Sequence, residues 1–177
     1  MKEKQEHFKL VYDNESDNIF RFVLLRVSNR EDALDLTGEV FLKFWHVLLQ
    51  QGEIISPRAL LFTIARNKVI DWYRKKRTES LDELTQEKDD ESPYLQPIEE
   101  SALHELTMSV EAKWALRAIE RLPTHYREVV MMRFVSGLAP QEIAEVLGVT
   151  PNAVSLRLNQ ALQKMRKELG IEIKHDE

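Results

Sequence analysis

Two clusters of side chains in this 177-residue chain have the types and spacing to handle a polyanion. The first lies in APQEIAEVLGVTPNAVSLRL, residues 139–158. Stepping 100° per residue from Val154 puts Leu158, Ala161 and Met165 on the same side. Asn152, Ser155, Leu156, Asn159, Gln160 and Gln163 fall on the opposite arc, with Arg157 on a flank. Asn and Gln amides can bond adenine edges bidentately, and a leucine can touch a thymine methyl. The second cluster is ARNKVIDWYRKKR, residues 65–77. There Arg66, Asn67, Arg74 and Arg77 share an outer side, and Arg74, Lys75, Lys76 and Arg77 are consecutive cations. Interleaved with Trp72 and Tyr73, they suit phosphate contact and base stacking.

Other chemistry finds little support. The five histidines (7, 46, 104, 125, 175) are scattered. No HExxH, Gly-rich phosphate loop or Ser–His–Asp pattern is present. Asp89–Asp90 read as solvated acids. Cysteine is absent, which excludes disulfides, thiol nucleophiles and thiolate metal centres. No catalytic residue, metal ligand or cofactor is therefore expected.

Both clusters need helices to present them, and the chain reads as all-α. Ser16 can cap a helix carrying Ile19, Phe20, Val23, Leu24 and Val27. Asn29 can cap a second, with Glu31 and Asp32 favourable to its dipole. Ser56–Pro57 opens a third, reaching about Arg77. Val110 to about Arg121 and Thr124 to Val135 follow. Residues 139–158 have helix-turn-helix spacing. Ala144 marks a close crossing, Gly148 suits a left-handed helix end, and Thr150–Pro151 starts the second helix.

The net charge of −5 hides an asymmetry. Residues 1–77 carry +3, residues 78–108 carry −9 and residues 109–177 carry +1. The acidic stretch contains Pro93 and Pro97 and few aliphatics, so it reads as a linker, with room for short helical turns, between domains 1–77 and 109–177. As a random coil it would span about 30 Å, and roughly 100 Å when extended. No run of about 18 uncharged apolar residues occurs, so no membrane span is expected. The start, MKEKQEHFKL, has no apolar h-region, and the cytoplasm is the expected location.

Three stretches resemble extracytoplasmic-function (ECF, group IV) sigma factors of bacterial RNA polymerase. They are EDALDLTGEVFLKFW (31–45), LLFTIARNKVIDWYRKKR (60–77) and LPTHYREVVMMRFVSGLAPQEIAEVLGVTPNAVSLRL (122–158). Their order and separation match the family. The resemblance implies an N-terminal domain that docks on the polymerase clamp helices and reads the minus-ten element. It implies a C-terminal domain that binds the flap tip and reads the minus-thirty-five element. Clamp-facing positions would be Asp35, Glu39, Phe41 and Lys43. Minus-ten contacts would be the Ile54–Arg58 loop, including Arg58, with Arg66, Asn67 and Tyr73, and Arg74, Lys75 and Arg77 on phosphates. Arg127 and Arg157 would contact phosphates or bases upstream. Core polymerase, promoter DNA and an anti-sigma factor are the implied partners. The chain departs from the family at Gly38, where Gln is usual, at Leu34, where an acid is usual, and at Ala139, where Ser or Thr is common. Its recognition helix is also poor in cations. The competing reading is a helix-turn-helix regulator acting without polymerase, but the N-terminal half offers no ligand-pocket or phosphoacceptor pattern.

Overall fold

Local chemistry sets the starts of the second and third helices of the N-terminal unit. In the computed structural model, which describes residues 1–51, 54–79 and 96–168 (side chains to Lys76 in the second stretch), α1 spans Lys2–Val27, α2 Arg30–Gln50 and α3 Pro57–Glu79. Asn29 caps α2 by accepting a 3.0 Å hydrogen bond from the Asp32 amide. That satisfies one orphan N–H, a contribution of about 0.5–2 kcal/mol. Proline at the first position of α3 forgoes an amide that a helix start leaves unpaired in any case.

Helix α1 starts well before the expected cap at Ser16, which lies in its middle. The reason is tertiary. Phe8 sits 5.3 Å from Trp45 and 6.1 Å from Phe44 between ring centroids, and Tyr12 lies 4.7 Å from Phe41. Val11 is buried beside them. These contacts hold the polar early turns of α1 helical against α2, where local propensity alone is weak. The central core is Ile19, Phe22, Leu24, Phe44, Leu61 and Phe62, all almost fully buried.

Part of the segment expected as linker, 78–108, belongs to this unit. Residues Glu100–Glu105 form a short helix, α4, and the first compact unit extends from Met1 to Thr107. Ile98, Ala102 and Leu103 are buried, which anchors α4 against α1. The rest of that acidic stretch, residues 80–95, lies outside the described residues.

The second unit, from Met108, contains α5 (Val110–Glu120), α6 (Thr124–Val130), a π-helical turn (Met131–Val135), α7 (Pro140–Leu147) and α8 (Pro151–Glu168). Ser109 caps α5 through the Ala112 amide. The expected single helix Thr124–Val135 widens in its last turn. There the Ser136 amide donates to the Met131 carbonyl at 3.0 Å, five residues back. Pro140 opens α7, and Glu142 accepts from the Ala139 amide at 2.7 Å. This is half of a capping box, because Ala139 has no side-chain acceptor to return the bond. Gly148 ends α7 at φ 64°. Thr150 Oγ1 then accepts from the Ala153 amide and starts α8. Helices α6, α7 and α8 close over Val129, Met132, Leu138, Ile143, Val154 and Ala161.

Candidate nucleic-acid and polymerase interface

In the second unit the helical wheel of α8 becomes geometry. Val154, Leu158 and Ala161 are buried, and Asn152, Ser155, Leu156, Asn159 and Gln160 are exposed. Arg157 is half-buried on the flank. The Tyr126 hydroxyl donates to Gln160 Oε1 at 3.0 Å, so one end of that amide is already engaged. Asn159 carries no such bond on the outward face and is the better base reader of the two. Lys164 lies 5.8 Å from the Tyr126 ring, which puts a cation beside the same face. Sequence periodicity did not reveal this Tyr126–Gln160–Lys164 group, because Tyr126 comes from α6.

Arg127 makes an internal contact while keeping part of its surface in solvent. It is half-buried, and Nη2 donates to the Leu122 carbonyl at 3.3 Å. Its position after the Leu122–Pro123 break turns it back to brace the α5–α6 corner. On α5, Val110 and Trp114 stand out into solvent, the indole 74% exposed. They form an apolar strip four residues apart on one helix face.

In the first unit, α2 and α3 bring together two groups that sequence reasoning had assigned to different partners. Asp32, Asp35, Leu36 and Glu39 of α2 face Trp72, Lys75 and Lys76 of α3 across a groove of about 400 Å³. Asp35, Glu39 and Lys43 are exposed. Lys68 Nζ reaches Glu39 at 2.6 Å, and Lys76 Nζ sits 4.6 Å from the Trp72 ring. Arg74 meets Asp71 at 3.6 Å, an exposed pair that a phosphate could displace at little cost. Arg66 is half-buried and Asn67 exposed on the same helix. The Arg77 side chain lies outside the described residues.

Three assigned residues face inward to some degree. Phe41 is only 3% exposed and packs against Phe8 and Tyr12, so it joins α2 to α1 from the inside. Arg58 is half-buried, and its Nε donates to Glu15 Oε2 at 3.2 Å. The Tyr73 hydroxyl donates to the Arg26 carbonyl, tying α3 to the end of α1. By contrast Ile55, just before α3, is 99% exposed.

Burial pushes the Tyr73 phenol up to about 12; the Arg26 charge pulls against this and Glu99 adds to it, each by less. The folded state therefore holds this proton more tightly than an unfolded tyrosine at about 10. Stability from this residue is complete below pH 10 and is lost as pH rises from 10 towards 12. Tyr73→Phe should remove that alkaline loss while also removing the bond to Arg26. Urea melts at pH 9 and pH 11.5 check it: the variant should be the less stable protein at pH 9, and the gap should narrow at pH 11.5.

A second groove, of about 420 Å³, is almost wholly apolar and is lined by Gln5, Phe8, Tyr12, Gly38, Phe41, Leu42 and Trp45. A Cβ at Gly38 would meet nothing within 4 Å, so no packing demand in this chain calls for glycine there. Among the described residues no cluster of His, Asp or Glu is placed to hold a metal ion, and no helix is long and apolar enough to cross a membrane.

Comparison with known proteins matches this layout. Residues 11–79 match the sigma-70 region 2 family and residues 112–165 the sigma-70 region 4 family. The chain is 27% identical to the ECF RNA polymerase sigma factor SigX of Bacillus subtilis, over 94% of this chain and 86% of that protein. It is 32% identical to the ECF sigma factor BldN of Streptomyces coelicolor, over 92% of this chain and 60% of that one. Among solved structures, the sigma factor RpoE of Bartonella quintana, crystallised with the anti-sigma factor NepR, aligns with a TM-score of 0.63. That alignment has 20% identity and covers 98% of this chain and all of that one, a likeness of fold. With both regions matched in order and relatives aligned along nearly its whole length, this chain belongs to the ECF family of RNA polymerase sigma factors, the proteins that bind the polymerase core and direct promoter-specific initiation.

Proposed function

We propose that the two units divide the work of initiation in the cytoplasm. The first docks on the polymerase clamp through the exposed acids Asp35 and Glu39, with Lys43 beside them, and reads the minus-ten element. Ile55 and Asn67 offer base contacts, and Arg66, Arg74, Lys75 and Arg77 offer phosphate contacts. The second reads the minus-thirty-five element with α8 and offers Val110 and Trp114 as apolar surface for the flap tip. An anti-sigma factor is the regulator that this reading includes. Phe41 and the Tyr73 hydroxyl act from inside, by positioning the helices that touch the partners, and Arg127 offers a further contact upstream.

The carrying observation is the outward face of α8. Four polar side chains and Leu156 stand exposed along a helix whose opposite side is buried. The first turn of such a helix fits the major groove, and its amides favour adenine. With only Arg157 and Lys164 as cations beside that face, discrimination rests on hydrogen bonds more than on charge. Asn159→Ala should relax preference at one or two upstream base pairs by about 1–3 kcal/mol and leave minus-ten preference alone. Arg157→Ala should weaken binding evenly across sequences and lower the salt slope by about 1. Run-off transcription from a randomised promoter library with core polymerase reads both. Unchanged upstream preferences for Asn159→Ala would remove α8 from base readout.

A further inference from the structure

We propose that residues 96–107 form a releasable strap that sets how far apart the two DNA-reading units can work. The inference rests on the division of labour proposed above. Both ends of the acidic stretch begin from the first unit: α3 runs to Glu79, and α4 packs back onto α1. With the strap docked, the first unit ends at Thr107 and only Met108 and Ser109 precede α5. Two residues reach at most about 7 Å. With the strap released, residues 80–109 all join the tether, and 30 residues can reach at most about 100 Å. The same chain thus has a short connection and a long one, selected by one small helix.

The docking contact is built to be modest. Its apolar part is three buried side chains, Ile98, Ala102 and Leu103. A 3.3 Å hydrogen bond runs from the Glu99 amide to Ser28 Oγ. An exposed ion pair joins Arg30 Nη1 to Glu105 Oε2 at 2.6 Å. Such an exposed pair adds little in water and less in salt. α4 has only six residues, and Glu99 supplies no side-chain cap.

Backbone strain falls at both ends of this contact. Among the described residues, two that are not glycine have positive φ: Ser28 at 57° and Thr107 at 48°. Ser28 is the residue that receives the Glu99 amide. Thr107 is the last residue before the second unit, and a β-branched side chain is poorly suited to that conformation. Release of the strap frees Thr107 from it. The strap is therefore a bistable element, held by a small apolar contact and opposed by local strain.

Its functional consequence follows from tethering. A linker that cannot span two sites gives almost no effective concentration at the second, and one that matches the span gives the most. Promoter elements tens of Å apart are beyond a two-residue connection unless the units themselves bridge the distance. Binding both elements would draw the strap off. A protein with the strap docked is confined to the short connection.

Two measurements on the full chain test this. The chain has no cysteine, so engineered cysteines are unique. First, Asp13→Cys and Gln163→Cys carry spin labels on exposed sites, one in each unit. The distance distribution is recorded without polymerase, alone and with Leu103→Asp or Arg30→Glu. Circular dichroism confirms that each variant folds, and Arg30→Glu leaves the apolar contact in place. The strap-broken proteins should show a broader distribution with its mean shifted outward by about 10 Å or more. An unchanged distribution in both overturns the strap.

Second, Arg30→Cys and Glu105→Cys are joined by a reducible bismaleimide. Run-off transcription with core polymerase from a two-element promoter should fall at least tenfold in the cross-linked protein and recover when the linker is cleaved. Equal activity of cross-linked and cleaved protein overturns the proposal. If neither form initiates, the sigma-factor division of labour has failed, and the distance measurement alone decides the strap.

Discussion

Val154→Asp should abolish folding of the second unit and leave the first intact. Val154 is fully buried between α7 and α8, at the pivot of the helix-turn-helix. An aspartate there would bury a carboxylate in an apolar core, or take up a proton and bury an acid. The effective penalty for a buried unpaired charge is several kcal/mol. A unit of about 70 residues has roughly 3.5–10 kcal/mol of stability. The substitution therefore consumes most or all of it. Calorimetry of the full chain should lose the transition of the second unit and keep that of the first. Run-off transcription should lose its dependence on the upstream element. A variant with two intact transitions would mean that α8 does not pivot on this residue.

Phe41→Ala should cost about 3–5 kcal/mol, the usual range for a buried phenylalanine. Its ring is sandwiched between Phe8 and Tyr12 of α1. Removing it opens a cavity beneath the apolar groove and detaches the early turns of α1, whose helical state depends on these rings. At roughly 4–8 °C per kcal/mol for a domain of this size, the first unit should melt at least about 12 °C lower. The prediction separates two roles. A surface residue that touched polymerase would lose core affinity with its melting temperature unchanged. A positioning residue loses melting temperature first, and core affinity measured well below the transition changes little. Denaturation followed by near-ultraviolet circular dichroism, beside a core-binding titration, distinguishes them.

What the sequence determined by itself was what short-range periodicity and cap chemistry encode. The all-α class was legible, as were the starts of α2, α3, α5 and α8. The left-handed Gly148 and the inward and outward arcs of α8 were legible as well. Each depends on residues within about a turn of one another, where hydrogen bonding and the 3.6-residue period act directly. Three motifs in order also made the family legible. Tertiary structure decided what depends on residues far apart in the chain. The early turns of α1 carry no clear local signal and form because Phe8 and Tyr12 meet Phe41, Phe44 and Trp45. Phe41 resembles a surface contact in a linear motif, yet packing turns it inward. The fate of residues 96–107 was likewise invisible, because an acidic, proline-bearing stretch reads as solvent-exposed. Only three apolar side chains, meeting a surface about 70 residues upstream around Ser28 and Arg30, make its end part of the first unit. Periodicity has no access to such a contact, since α4 is buried against α1, far upstream in the chain.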